Sequence, residues 1–169
     1  MLSEDKYFLT LSRDELWQRY CGFLDLSVDE FMAIQGKLLM REIELVAGST
    51  LGRKIMGNRV PESVEEFRRL VPLTTYEDYE PYLNERQEDA LAVKPSLWCH
   101  SSGRGGSFKW VPHSHETVER AARMFIASCI LACCSKRGEI NIGPGMRFLT
   151  IFAPPPYTCL LYTSPSPRD

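Results

Sequence analysis

Ser96-Leu97-Trp98-Cys99-His100-Ser101-Ser102-Gly103-Arg104-Gly105-Gly106-Ser107-Phe108-Lys109-Trp110-Val111-Pro112 is the stretch on which the fold turns. Leu97 to His100 read as a strand and Trp110-Val111-Pro112 as a second extended piece, with a hydroxyl- and glycine-rich loop ending in Lys109 between them. Glycines let backbone N–H groups converge on an anion, hydroxyls add donors, and the lysine adds positive charge. A polyphosphate suits such a loop best; a plain surface turn is the alternative. The P-loop spacing G-x-x-x-x-G-K-[ST] is absent, because Ser107 follows Gly106 and Lys109 stands two further on.

Downstream, a long helical pattern runs from about His115 to Ser135. It is apolar around most of its circumference near its end (Phe125, Ile126, Cys129, Ile130, Leu131) and so needs cover on several sides. Gly143-Pro144-Gly145 then turns into Met146-Arg147-Phe148-Leu149-Thr150-Ile151-Phe152, a β-rich run ending at Ala153-Pro154-Pro155-Pro156-Tyr157. Strand, loop, helix, strand is the beginning of a layered α/β architecture.

Upstream the chain reads as successive short helices. Ser12 with Glu15, Ser27 with Glu30, Ser63 with Glu66 and Thr75 with Asp78 match the capping box, in which a hydroxyl accepts from an orphan N–H and an acid three positions on reaches back. A helix from about Val28 to Ala47 carries Phe31, Ile34, Leu38 and Leu45 on one stripe, widened by Leu39, Ile43 and Val46, and is expected to face the core with it. Gly48, Gly52 and Gly57 break the pattern, Pro61 opens the next helix, and Val71-Pro72 ends it. Tyr76, Tyr79 and Tyr82 fall near one helical face if the helix survives Pro81; they read as core packing or as an aromatic box for a substrate.

The 169 residues carry 44% hydrophobic and 25% charged side chains and a net charge of −2, an ordinary globular composition that gives no support for a nucleic-acid partner. Cys21, Cys99, Cys129, Cys133 and Cys134 lack the paired spacing of zinc sites and the pattern of a secreted disulfide framework. They read as small buried thiols, and a cytoplasmic location fits best. The longest apolar run, 124–134, falls short of the roughly 20 residues that cross a bilayer. His100, His113 and His115 flank the loop, either as a general base or as loop and helix-cap residues, partly exposed. Residues 159–169 read, residue for residue, as a translated sequencing adapter, so a non-native tail is expected, with a genuine Ser/Pro tail as the alternative; its removal takes the cysteines from 6 to 5 and leaves the charge unchanged. Residues 1–158 are then expected to be the N-terminal part of a longer domain.

Leu51-Gly52-Arg53-Lys54, the run from Val71-Pro72-Leu73-Thr74-Thr75-Tyr76 to Tyr79, Trp98 before Ser101-Ser102-Gly103, Lys109-Trp110-Val111-Pro112 and Ala153-Pro154-Pro155-Pro156-Tyr157 occur here in that order. Together they resemble the N-terminal part of the auxin-responsive promoter family of acyl-acid amido synthetases, over essentially all of residues 24–157. The resemblance implies an adenylate-forming α/β fold, a helical first half followed by the start of a sheet. It also implies a chemistry: ATP and Mg²⁺ turn a carboxylic acid into an acyl-adenylate, and an amino acid or other amine then forms the amide. By position, Ser101, Ser102, Gly103, Gly106 and Lys109 match the family's phosphate-binding loop. The family places Thr and then Ser or Thr where Arg104 and Gly105 stand, so two hydroxyl donors are lost; Arg104 either supplies bidentate phosphate contacts or blocks the loop. A non-catalytic homologue serving as a binding or regulatory module is therefore the second reading. The adenine, ribose and acyl sites are expected beyond residue 158, so these residues are not expected to catalyse the reaction by themselves, and neither the acid, the amine nor the oligomeric state is encoded in anything legible here.

Overall fold

The computed structural model describes residues 4–57, 59–101, 108–147 and 149. The chain divides into two compact units, Met1–Ala33 with Glu116–Thr150, and Ile34–His115 with Ile151–Asp169. As the sequence implies, a helical first half leads into the start of a sheet.

The first unit contains α1 (Asp5–Thr10), α2 (Arg13–Cys21), a 3-10 turn (Gly22–Asp25), the beginning of α3 (Val28–Ala47) and nearly all of α7 (His115–Cys133). Ser12 starts α2 through a complete capping box: its hydroxyl accepts from the Glu15 N–H, and Glu15 Oε2 accepts from the Ser12 N–H at 2.8 Å. Ser27 and Glu30 repeat the arrangement ahead of α3. Leu16, Trp17, Tyr20 and Cys21 of α2 pack with Ala127 and Ile130 of α7 and with Ile140 to form one core. Ile130 and Cys21 are sealed completely. The apolar end of α7 is only partly covered, short of the cover its sequence demands: Phe125 and Met124 remain exposed.

A contact that the sequence does not advertise ties α1 to this core. Glu4, just ahead of α1, accepts from the Tyr20 hydroxyl and lies 3.3 Å from both Arg19 and Arg123. Burial raises the Glu4 carboxyl, but the three donors outweigh it and hold the group below its ordinary 4.5. Burial, reinforced by Glu4, pushes Tyr20 up to about 12.

The second unit holds the rest of α3, α4 (Thr50–Met56), α5 (Val64–Leu70), a 3-10 turn (Tyr76–Asp78), α6 (Glu80–Asn84), a further 3-10 turn (Glu88–Ala90) and the strands β1 (Leu97–His100) and β2 (Trp110–His113). Three expectations need correction here. First, α3 leaves Phe31, Ile34, Leu38 and Leu45 exposed. The side it covers runs through Gly36, Leu39, Met40, Ile43 and Ala47, with only Ile43 fully buried. The helix carries apolar lines on opposite sides, and pattern alone cannot say which is covered. Second, Gly52 lies inside α4 and does not break it; a Cβ there would stand 1.9 Å from the Val46 carbonyl oxygen, so only glycine permits the close turn. Third, α5 begins at Val64 with Ser63 as its cap, after Pro61, and Glu66 reaches the Glu62 N–H at 2.8 Å where a capping box would return to Ser63.

The two strands pair antiparallel, with Leu97 opposite His113, Trp98 opposite Pro112, Cys99 opposite Val111 and His100 opposite Trp110. The extended pieces flanking the glycine loop are thus the two arms of one hairpin. Met146 and Arg147 are not in a strand; Phe148 and residues 150–152 of the expected third strand lie outside the described residues, as does the tail 159–169.

Candidate functional site

Ser101 and Lys109 close the base of the hairpin loop. The Ser101 N–H donates to the Lys109 carbonyl at 2.9 Å, and the Lys109 N–H donates to Ser101 Oγ at 3.1 Å. With the Lys109 amide taken up by its hydroxyl, the Ser101 carbonyl is left to the ring of His100, whose Nδ1 lies 3.1 Å away. A carbonyl only accepts, so in this contact Nδ1 carries the proton. Ser101 and Lys109 are therefore brought together, while Ser102, Gly103 and Gly106, with Arg104 and Gly105, lie outside the described residues.

Strand alternation sorts the neighbours of the loop onto two faces. On one face His100 meets Phe108 at 4.6 Å between ring centroids and Trp110 edge-on at 5.1 Å. His100 is buried at 9% exposure, which corrects the expectation of a partly exposed loop residue. Of the other two histidines, His113 ends β2, half-buried, and His115, exposed, opens α7. On the other face, Lys109 places its Nζ 5.2 Å from the centre of the Tyr76 ring, and the Tyr76 hydroxyl donates to the Trp110 carbonyl at 3.1 Å. An aromatic face attracts a cation without cancelling its charge. Among the described residues no carboxylate forms an ion pair with Lys109. Burial raises the Tyr76 hydroxyl above its ordinary value, so it stays a neutral donor.

The tyrosines do not share one helix. Thr75 starts only a 3-10 turn, its N–H held by Asp78 at 2.8 Å, and the chain restarts as α6 with Pro81 in its first turn. Tyr76 supports Lys109, Tyr79 bonds the Thr74 hydroxyl, and Tyr82 lies under Lys54 at 5.0 Å. Lys54 also donates to the Asp78 carbonyl at 2.9 Å. Sequence reading singled out Lys109 but missed Tyr76 as its support; the signal was present in the tyrosine spacing, without the partner.

Residues 22–156 match the GH3 family N-terminal domain. The chain belongs to the GH3 family. This is the auxin-responsive family that the ordered motifs resemble, and the match spans the whole hairpin and its supports. No curated protein and no solved structure matches the chain. Among the described residues, no helix is long and apolar enough to cross a membrane.

Proposed function

We propose that this GH3 family chain belongs to an ATP-dependent ligase that activates a carboxylic acid as its acyl-adenylate and passes the acyl group to an amine, typically an amino acid. The carboxylate oxygen attacks the α-phosphorus of ATP and pyrophosphate leaves; the amine nitrogen then attacks the acyl carbonyl, loses a proton, and AMP departs. Residues 101–109 bind the phosphates: Ser101 and Ser102 as donors, Gly103 and Gly106 where backbone approaches ligand, and Lys109 as the cation that stabilises charge on the leaving pyrophosphate. Mg²⁺ enters as part of the nucleotide; among the described residues no trio of His, Cys, Asp or Glu side chains converges to hold a metal. The proposed setting is the cytoplasm, with small molecules as partners and neither nucleic acid nor membrane involved.

One observation supports this reading most: Lys109 is fixed at the mouth of the loop by a backbone bridge to Ser101 and a ring contact to Tyr76, with its charge unspent. Calorimetric titration with Mg·ATP tests it. The chain should bind, and Lys109→Gln should weaken binding roughly tenfold or more, as loss of one charged hydrogen bond implies; absence of nucleotide binding contradicts it. Arg104 and Gly105 favour the second reading, a non-catalytic module. If the variant Arg104→Thr, Gly105→Ser binds ATP where the natural chain does not, that reading is the correct one.

A further inference from the structure

Arg86 occupies a position that ordinarily belongs to glycine. It is the only non-glycine among the described residues with positive φ, at 52°. The cause is the way α6 ends. The Arg86 N–H donates to the Leu83 carbonyl at 3.1 Å and the Gln87 N–H to the Tyr82 carbonyl at 2.9 Å, the paired bonds of a Schellman turn whose left-handed residue is Arg86. A side chain there strains the backbone, and glycine relieves it. Nothing in the helix ending itself calls for an arginine.

The guanidinium has a definite place nonetheless. Its carbon lies 4.9 Å from the centre of the Trp110 ring. Trp110 follows Lys109 directly and pairs with His100, the last residue of β1 before the loop. Arg86 and Lys109 are thus both held at the loop end of the hairpin, one on the ring of Trp110 and the other on that of Tyr76. Both are held by aromatic rings, and among the described residues neither has a carboxylate partner. Of the acids nearby in sequence, Glu80 is engaged by Asn84, Glu85 by Gln87, and Glu88 by Trp98 and Lys94, and among the described residues Asp89 pairs with neither cation. A stacked guanidinium keeps its N–H edge available for the bidentate contact that phosphate oxygens accept.

We infer that Arg86 is a second cationic ligand for the pyrophosphate end of the nucleotide, beside Lys109; this rests on the reading of residues 101–109 as a phosphate loop. The strained backbone is tolerated because the side chain serves binding and not folding. The test compares the natural chain with Arg86→Gly, Arg86→Lys and Lys109→Gln, by calorimetric titration with inorganic pyrophosphate and by thermal melting. Arg86→Gly should melt at the same temperature or higher, yet bind pyrophosphate roughly ten- to a hundredfold more weakly; Arg86→Lys, which keeps charge but loses the fork, should fall between. If Arg86→Gly binds as tightly as the natural chain while Lys109→Gln does not, the assignment of Arg86 is wrong and the loop reading stands. A lowered melting temperature in Arg86→Gly also overturns the assignment, since Arg86 would then serve the fold. If the natural chain takes up neither pyrophosphate nor Mg·ATP, both ideas fall.

Discussion

One cluster of cations in each unit of this chain is held in a different way. In the first, Arg19 and Arg123 converge on Glu4, and Tyr20 adds its hydroxyl to the same carboxylate. In the second, Lys109 and Arg86 rest on the rings of Tyr76 and Trp110. A cation answered by a carboxylate has completed its work within the fold. A cation positioned by a ring keeps its field for a ligand. The cores differ in the same sense, since the first unit packs a contiguous cluster around Ile130 and Cys21, whereas in the second α3 leaves Ile34, Leu38 and Leu45 exposed.

The sharpest way to break this comparison is to show that the first unit tolerates losses in its core. Ile130→Ala removes a completely buried side chain and should cost about 2–5 kcal/mol in chemical denaturation. Leu38→Ala, on the exposed line of α3 in the second unit, should cost well under that, within about 1 kcal/mol. Equal costs would mean that the exposed line is covered in solution.

Glu4→Gln comes next and should cost about 1–3 kcal/mol, because it removes the charge that two guanidinium groups share and puts an NH2 donor where an oxygen accepts from Tyr20. Its pH dependence has a definite sign. The Glu4 carboxyl is held below its ordinary value, so its contribution is present above 4.5 and lost as pH falls through the lower folded value. Tyr20 behaves oppositely: raised from 10.0 to about 12, it contributes below 10 and loses that contribution as pH rises toward 12. Stability measured against pH should therefore show a shallower acid limb in Glu4→Gln.

The smallest expected change in stability belongs to Lys109→Gln, within about 0.5 kcal/mol. Its large effect should be on anion binding. A strongly destabilised Lys109→Gln would place Lys109 with Arg19, as a cation that the fold consumes.

The bounds of α3, β1 and α7 were legible because their signals are local: a capping hydroxyl with an acid three residues on, a short apolar run, a long apolar period. Which side of α3 is covered was not, because both sides are apolar and the choice depends on elements distant in sequence. Gly52 read as a break for a similar reason: the approach of the Val46 carbonyl that makes glycine necessary is a fact of three dimensions. Glu4 and Arg86 carried no local signal at all. One is an acid near the start of the chain whose partners lie 15 to 119 residues away; the other is an arginine whose meaning comes from a helix ending and a tryptophan across the hairpin.

The most direct test follows the backbone amides of the ¹⁵N-labelled chain by NMR as Mg·ATP and then AMP are added. Shifts for residues 101–109 and for the Arg86 side chain that appear with Mg·ATP and are much weaker with AMP are the expected result. Shifts confined to the first unit, or the same response to both nucleotides, would contradict a loop that grips the β- and γ-phosphates.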